Sequence, residues 1–154
     1  MSFLSSMNIV ASGLTAQQLR LDVVAENVTN SNTTRVENGD GPYRRKVVVF
    51  EAETGKDEFR MAMAKAANGV APSNGYETAG GVKVTRIAED PSAFKIVYDP
   101  EHPDANEEGY VELPNIDMVK EIADSMAATQ AYSSNVTAFN ALKSVVAKGL
   151  EIGR

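Results

Sequence analysis

Residues 12–35 read SGLTAQQLRLDVVAENVTNSNTTR. Apolar side chains recur there at alternating spacings of three and four, the period of an amphipathic helix. The pattern reaches back to Phe3 and is carried by Met7, Val10, Leu14, Leu21, Val24 and Val28, with Gln17 filling the one gap. Asn30, Asn32 and Thr33 favour bonds from their side chains to nearby backbone over helix interiors, so the helix is expected to run from Phe3 to about Ser31 and fray there. At about 1.5 Å per residue it would be roughly 40 Å long. So long a helix, so near the first residue, needs a partner.

The other end of the chain offers a second one. From Asn115 to Leu150 the residues Val119, Ile122, Met126, Thr129, Tyr132, Val136, Phe139, Val146 and Leu150 keep mostly three-four spacing. Pro114 precedes, Asn115 is the expected N-cap and Asp117 lies in the first turn. This helix would be roughly 50 Å long. Between the two, VENGDGP (36–42) is a turn or loop and YRRKVVVFEA (43–52) a strand rich in β-branched residues. The segment 54–78 is ambiguous: EFRMAMAKA suits a strand or a short helix, and NGVAPSNGYETAGG is loop chemistry. GGVKVTRIAED (80–90) alternates Val82, Val84 and Ile87, and AFKIVYD (93–99) is a further strand; these two are expected to pair antiparallel. PEHPDANEEGYVELPN (100–115) reads as an acidic, extended connector.

Charge is distributed unevenly. Residues 1–19 contain no charged side chain, and neither do Ser125 to Leu142. Solvent-facing helix surfaces normally carry Lys and Glu, whereas these runs carry Ser, Thr, Asn, Gln and Ala. A helical hairpin within one chain would explain one apolar stripe per helix. It leaves unexplained Ala127, Ala128, Ala131, Ala138, Ala141, Leu142 and Val145, which spread small or apolar surface around most of the second helix. A helix that avoids charge on every side is usually surrounded by protein, and the middle of this chain is too small to surround it. Both terminal helices therefore read as interfaces to neighbouring chains, with small residues permitting close approach. Gln17 and Thr129 are polar seam positions of the kind that set register.

Composition narrows the function. At 154 residues the chain reads as a single domain able to bury about 70% of its unfolded surface. A net charge of −6 disfavours nucleic acid and anionic membrane faces. The absence of cysteine excludes disulfides, thiol catalysis and thiolate metal sites. No apolar run approaches the ~18 residues of a membrane span, and MSFLSSMNIVASG lacks the basic region of a secretory signal. The sole histidine, His102, lies between prolines in a connector and reads as a turn residue. Asp104, Asn106 and Glu108 precede Gly109 in the manner of a calcium loop, but Asn115 stands where a bidentate Glu is required, so a solvated acidic loop is the default. NGDGPYRRK precedes a strand instead of opening a helix, which argues against a phosphate cradle. Arg44, Arg45 and Lys46 read as strand decoration. No nucleophile motif is present, and neither catalysis nor a cofactor has positive support.

The termini resemble a known family. GLTAQQLRLDVVAENVTNSNT is similar to the N-terminal signature of bacterial flagellar rod and hook proteins, a helix with heptad-like leucines followed by the pattern carried here by Ala25, Asn27, Val28, Asn30, Asn32 and Thr33. DGPYRRKVVVFEA, the block from GGVKVTRIAEDPSAFKIVYDPEHPDANEEGYVELPN into the last helix, and SMAATQAYSSNVTAFNALKSVVAKGLEIGR also look like rod-protein sequence. Glu26 and Thr29 depart from the family's more usual Asn and small residue. The resemblance implies an α+β fold whose long terminal helices pair as an antiparallel coiled coil beside a small β-rich middle. Its parts would be an N-terminal axial helix with its Asn-rich tail (1–35), a middle (36–114, including 54–78) and a C-terminal axial helix (115–154). It implies a structural subunit of the proximal rod, the torque-transmitting shaft in the periplasmic space, exported without a cleavable signal through the flagellar type III apparatus. Partners would be copies of itself, other rod proteins and the rod-base adaptor, with no nucleic acid and no membrane insertion. The expected assembly residues are Met7, Val10, Leu14, Gln17, Leu21, Val24, Asn27, Val28, Asn30 and Asn32, with Ile122, Met126, Thr129, Tyr132, Val136, Phe139, Leu142 and Val146.

Overall fold

The computed structural model describes residues 3–37, 41–54 and 79–152. In chain order its elements are α1 (Phe3–Thr29), β1 (Lys46–Thr54), β2 (Ala79–Glu89), β3 (Lys95–Tyr98), β4 (Tyr110–Leu113) and α2 (Met118–Ile152). The fold is α+β: two long helices and two small sheets. The ambiguous segment, apart from Thr54, lies outside the described residues.

Both helices end for reasons of side-chain chemistry. α1 stops at Thr29, two residues earlier than expected. The Asn30 side chain donates to Glu26 O at 2.9 Å and its carbonyl accepts from Thr33 N at 3.1 Å, so one Asn closes the last turn. α2 begins three residues later than expected. Its cap is Asp117, whose Oδ1 accepts from Val119 N at 3.0 Å and whose carbonyl accepts from Glu121 N at 3.0 Å. Asn115, the expected cap, is engaged elsewhere. It accepts from Arg45 N at 2.8 Å and donates to the carbonyls of Asp90 and Ser92.

The strand pairing corrects the sequence reading. β2 does not pair with β3. β1 pairs with β2, and β3 pairs antiparallel with β4 in the register Lys95↔Leu113, Ile96↔Glu112, Val97↔Val111, Tyr98↔Tyr110. β4 arises inside the segment read as a connector. Its turn is completed by Gly109, which has φ +81° and whose missing Cβ would stand 2.9 Å from Cε2 of Tyr98, so a side chain there is excluded on both counts.

Contacts gather the chain into two units, Met1–Ala16 with Phe50–Val84 and Tyr132–Arg154, and Gln17–Val49 with Thr85–Ala131. Each long helix contributes to both. In the first unit a Cβ on Gly13 would lie 3.0 Å from Nδ2 of Asn135, and a Cβ on Gly81 would lie 1.9 Å from Oγ of Ser12, so glycines set how closely α1 approaches α2 and β2. Ser12 Oγ also accepts from Val82 N at 3.0 Å. The second unit holds the better-buried apolar cluster, Val23, Val24, Tyr43, Val111, Ile116 and Ala128.

Candidate assembly surface and the buried hub that positions it

In the second unit two polar side chains are almost wholly buried: Asn27 is 1% exposed and Glu121 0%. Burial of such groups is tolerable only if their hydrogen bonds are made, and here they are. Asn27 Nδ2 donates to Lys46 O at 2.9 Å and to Glu121 Oε2 at 3.0 Å. Its Oδ1 accepts from Lys46 N at 2.9 Å and from the Tyr43 hydroxyl at 3.1 Å. The backbone of Lys46 supplies one donor and one acceptor, so it also fixes which way the amide points. A single α1 side chain thus acts as a neighbouring strand would toward the first residue of β1.

Glu121 is neutralised by Arg45, whose Nε donates to Oε1 at 2.6 Å. The same guanidinium reaches Asp124 at 3.2 Å and Asp90 at 3.4 Å, and Asp124 in turn pairs with Arg20 at 2.8 Å. Burial alone would lower the Arg45 pKa, but the bonds to Glu121 and the other carboxylates outweigh it and raise it, so the guanidinium stays charged. The Ser92 hydroxyl and N–H, then Arg45, hold the Asp90 carboxyl below its usual range. Burial first, then the nearby Glu26 and Glu121, push the Tyr43 phenol up, so it remains a neutral donor. Arg44 lies over the Phe94 ring, 4.3 Å from its centroid, and Lys46 pairs with Glu26 at 2.5 Å.

Arg45 and Lys46 are therefore not strand decoration, which corrects the sequence reading. Glu121, Asp124, Arg20 and Tyr43 were not singled out either. A signal for two of them existed: Arg20 is the first charged residue after the N-terminal uncharged run, Asp124 the last before the C-terminal one. The charges that border those runs bond to each other.

The expected assembly residues fall into three groups. Val24 and Asn27 are buried, and Asn27 has its hydrogen-bonding capacity filled within the chain, so it can serve assembly only by holding α1 in place. Met7, Val10, Leu14, Gln17, Leu21, Val28 and Asn30 of the N-terminal region, with Tyr132, Phe139, Leu142 and Val146 of α2, are half-buried. Oε1 of Gln17 is buried without a hydrogen-bond partner among the described residues. Asn32, Ile122, Met126, Thr129 and Val136 are exposed. On α2, Val119 is 76% exposed, Ile122 53% and Met126 69%, an apolar stripe turned away from the hub on the helix that the hub anchors.

The acidic loop is occupied internally. Asp104 accepts from Arg35 at 2.5 Å and from Thr34 Oγ1 at 2.8 Å, and Asn106 Oδ1 accepts from the N–H groups of Glu108 and Tyr110. His102 Nδ1 accepts from Asp104 N at 3.1 Å. Among the described residues no group of three or more His, Asp or Glu is arranged to hold a metal ion, and no helix is long and apolar enough to cross a membrane.

Two long helices and two small sheets leave an apolar stripe of α2 exposed among the described residues, and comparison with known proteins specifies the class. Residues 7–35 match the model of the flagella basal body rod protein family, and residues 107–152 match that of the flagellar basal body rod FlgEFG protein C-terminal family. Over its whole length the chain is 45% identical to the flagellar basal-body rod protein FlgC of Bacillus subtilis, covering all of both chains. It is 37% identical to FlgC of Borreliella burgdorferi, over 99% of this chain and 98% of that one, and 36% identical to FlgC of Salmonella typhimurium, over all of both. The chain belongs to the FlgC family of flagellar basal-body rod proteins, and its role is that of a structural subunit of the rod.

Proposed function

We propose that the chain joins the proximal part of the rod through its terminal helices, which pair as an antiparallel coiled coil and bury their remaining stripes against neighbouring subunits. The organisation follows: 1–35 and 115–154 form the axial layer, and 36–114 the lateral one. The carrying observation is the α2 stripe of Val119, Ile122 and Met126, which is apolar, exposed and runs into the charge-free stretch from Ser125 to Leu142. Water is the least favourable neighbour for such a surface. Antiparallel pairing is supported in the second unit by Arg20 bonding Asp124 while Asn27 bonds Glu121: as α1 advances, its partners on α2 recede. Partners of this chemistry are further copies of the chain, other rod proteins and the rod-base adaptor, reached after passage through the type III export apparatus. Each Val, Ile or Met fully buried in a seam contributes about 1.5–3 kcal/mol, so a few per subunit suffice to hold it and to spread torque over many contacts.

The test is Met126→Asp. Because that side chain is exposed in the free chain, the variant should keep the wild-type unfolding midpoint yet be absent from purified basal bodies, with loss of motility. Normal incorporation of this variant would refute the proposal.

A further inference from the structure

The β3–β4 pair has two outer edges, and the chain occupies one of them at Tyr110. Asp99 N donates to Gly109 O at 2.9 Å, so 99 and 109 form a hydrogen-bonded pair. In the register Tyr98↔Tyr110, Val97↔Val111, Ile96↔Glu112, antiparallel alternation then turns the N–H and C=O of Ile96 and Tyr98 away from β4, and those of Tyr110 and Glu112 away from β3. On the β4 side Tyr110 is taken: its N–H donates to Asn106 Oδ1 at 2.8 Å and its carbonyl accepts from Asn106 N at 2.9 Å. On the β3 side no described residue bonds the backbone of Ile96 or Tyr98. The side chains of those two residues are 67% and 64% exposed. They share a face with Tyr110, whose ring meets Tyr98 edge-on at 5.3 Å, while the opposite face carries the buried Val111. A groove of about 380 Å³ adjoins this face, lined in part by Ile96, Tyr110, Thr34 and Pro42.

Exposed strand edges are ordinarily protected by a projecting Lys, a Pro or a bulge. β3 has one cation, Lys95, and its ammonium is turned inward to donate to Ile116 O. Around the edge carboxylates outnumber cations: Asp99 and Glu101 follow the strand, Glu112 stands opposite Ile96, and Arg35, which also lines the groove, is already paired with Asp104. We infer that the free edge of β3 is a docking site for an extended segment of a neighbouring protein chain, one that alternates Lys or Arg with apolar residues and adds as a third strand. Main-chain bonds to Ile96 and Tyr98 hold it, its apolar side chains cover Ile96 and the tyrosine pair, and its cations, on the opposite face, meet Asp99 with Glu101 just beyond it. None of these residues belongs to the α2 stripe, so the inference stands apart from the helix-assembly reading.

The test uses the purified full chain and a fluorescent, acetylated KVKIKVK peptide as probe. Saturable binding is expected, with amide shifts at Ile96 and Tyr98 in heteronuclear spectra. Ile96→Pro removes an outward N–H but none of the bonds between β3 and β4, and should weaken binding at least tenfold. Should that variant fail to fold, the same peptide N-methylated at every residue carries the test with the protein untouched, and it too should bind at least tenfold more weakly. An EVEIEVE peptide should not bind measurably. Equal affinity for the methylated or the glutamate peptide, or no binding of the lysine peptide at all, would overturn the inference.

Discussion

Asn27 uses all four of its hydrogen-bonding positions, and the identity of each partner dictates what a substitution does. Asn27→Asp keeps the shape and still accepts from Lys46 N and Tyr43, but it replaces the donor facing Glu121 Oε2 with a carboxylate oxygen. Two carboxylates at about 3 Å cannot both ionise cheaply. The variant should lose on the order of 3 kcal/mol in denaturant unfolding at pH 7, and its deficit against wild type should narrow below about pH 5 as one carboxyl takes a proton. Tyr43 gives a prediction at the other end of the scale. Its folded pKa is raised above the ordinary 10.0, so the phenol contributes stability that is fully present below pH 10 and is lost as pH rises through the folded value. Unfolding midpoints should therefore fall above about pH 10, and Tyr43→Phe should flatten that fall while costing about 1 kcal/mol at neutral pH. Asp90 has the opposite sign. Its depressed pKa contributes stability above the ordinary 3.8, lost as pH falls through the lower folded value.

At the scale of elements, legibility followed periodicity. α1 and α2 were readable because three-four spacing persisted through helices of 27 and 35 residues, and β1 because Val47, Val48 and Val49 leave little else. β4 escaped because four residues, Tyr110 to Leu113, sit among carboxylates and prolines, and a strand that short is fixed by its partner and by Gly109 more than by its own pattern. The hub was unreadable for a related reason. Glu121 has the local context of any solvent-facing helix charge, and only the arrival of Arg45 and Asn27 from distant positions makes its burial affordable. Glycines give opposite predictions on different elements. Gly81→Ala would set a Cβ 1.9 Å from Ser12 Oγ and 2.8 Å from its Cβ, a clash no hydroxyl rotation removes, and should cost about 1–3 kcal/mol. Gly149→Ala, in α2 with nothing within 4 Å, should instead stabilise the free chain by about 0.5–1 kcal/mol. Thermal unfolding of the two variants side by side checks both signs.

For the whole molecule, the polar and the apolar residues divide by where their partners lie. The ion network of Arg20, Asp124, Arg45 and Glu121 holds helix to helix and helix to strand in a specific register, a use of buried charge better attested than raw stabilisation. On the proposed assembly, the exposed apolar stripe of α2 is left for other subunits. On the same proposal, the half-buried positions of α1 from Met7 to Leu21 are seam residues whose remaining surface the rod would cover. The sequence carries an experimental convenience, since the chain has no cysteine and any introduced thiol is unique. The most direct measurement is maleimide labelling of Met126→Cys, in the free chain and in basal bodies purified from motile cells, with Lys83→Cys on exposed β2 as the reference site. Both thiols should label in the free chain, and in basal bodies Cys at 126 should be shielded at least tenfold relative to the reference. Equal labelling of the two in assembled rods would contradict the proposed assembly, because the α2 stripe would then face water in the structure it is held to build.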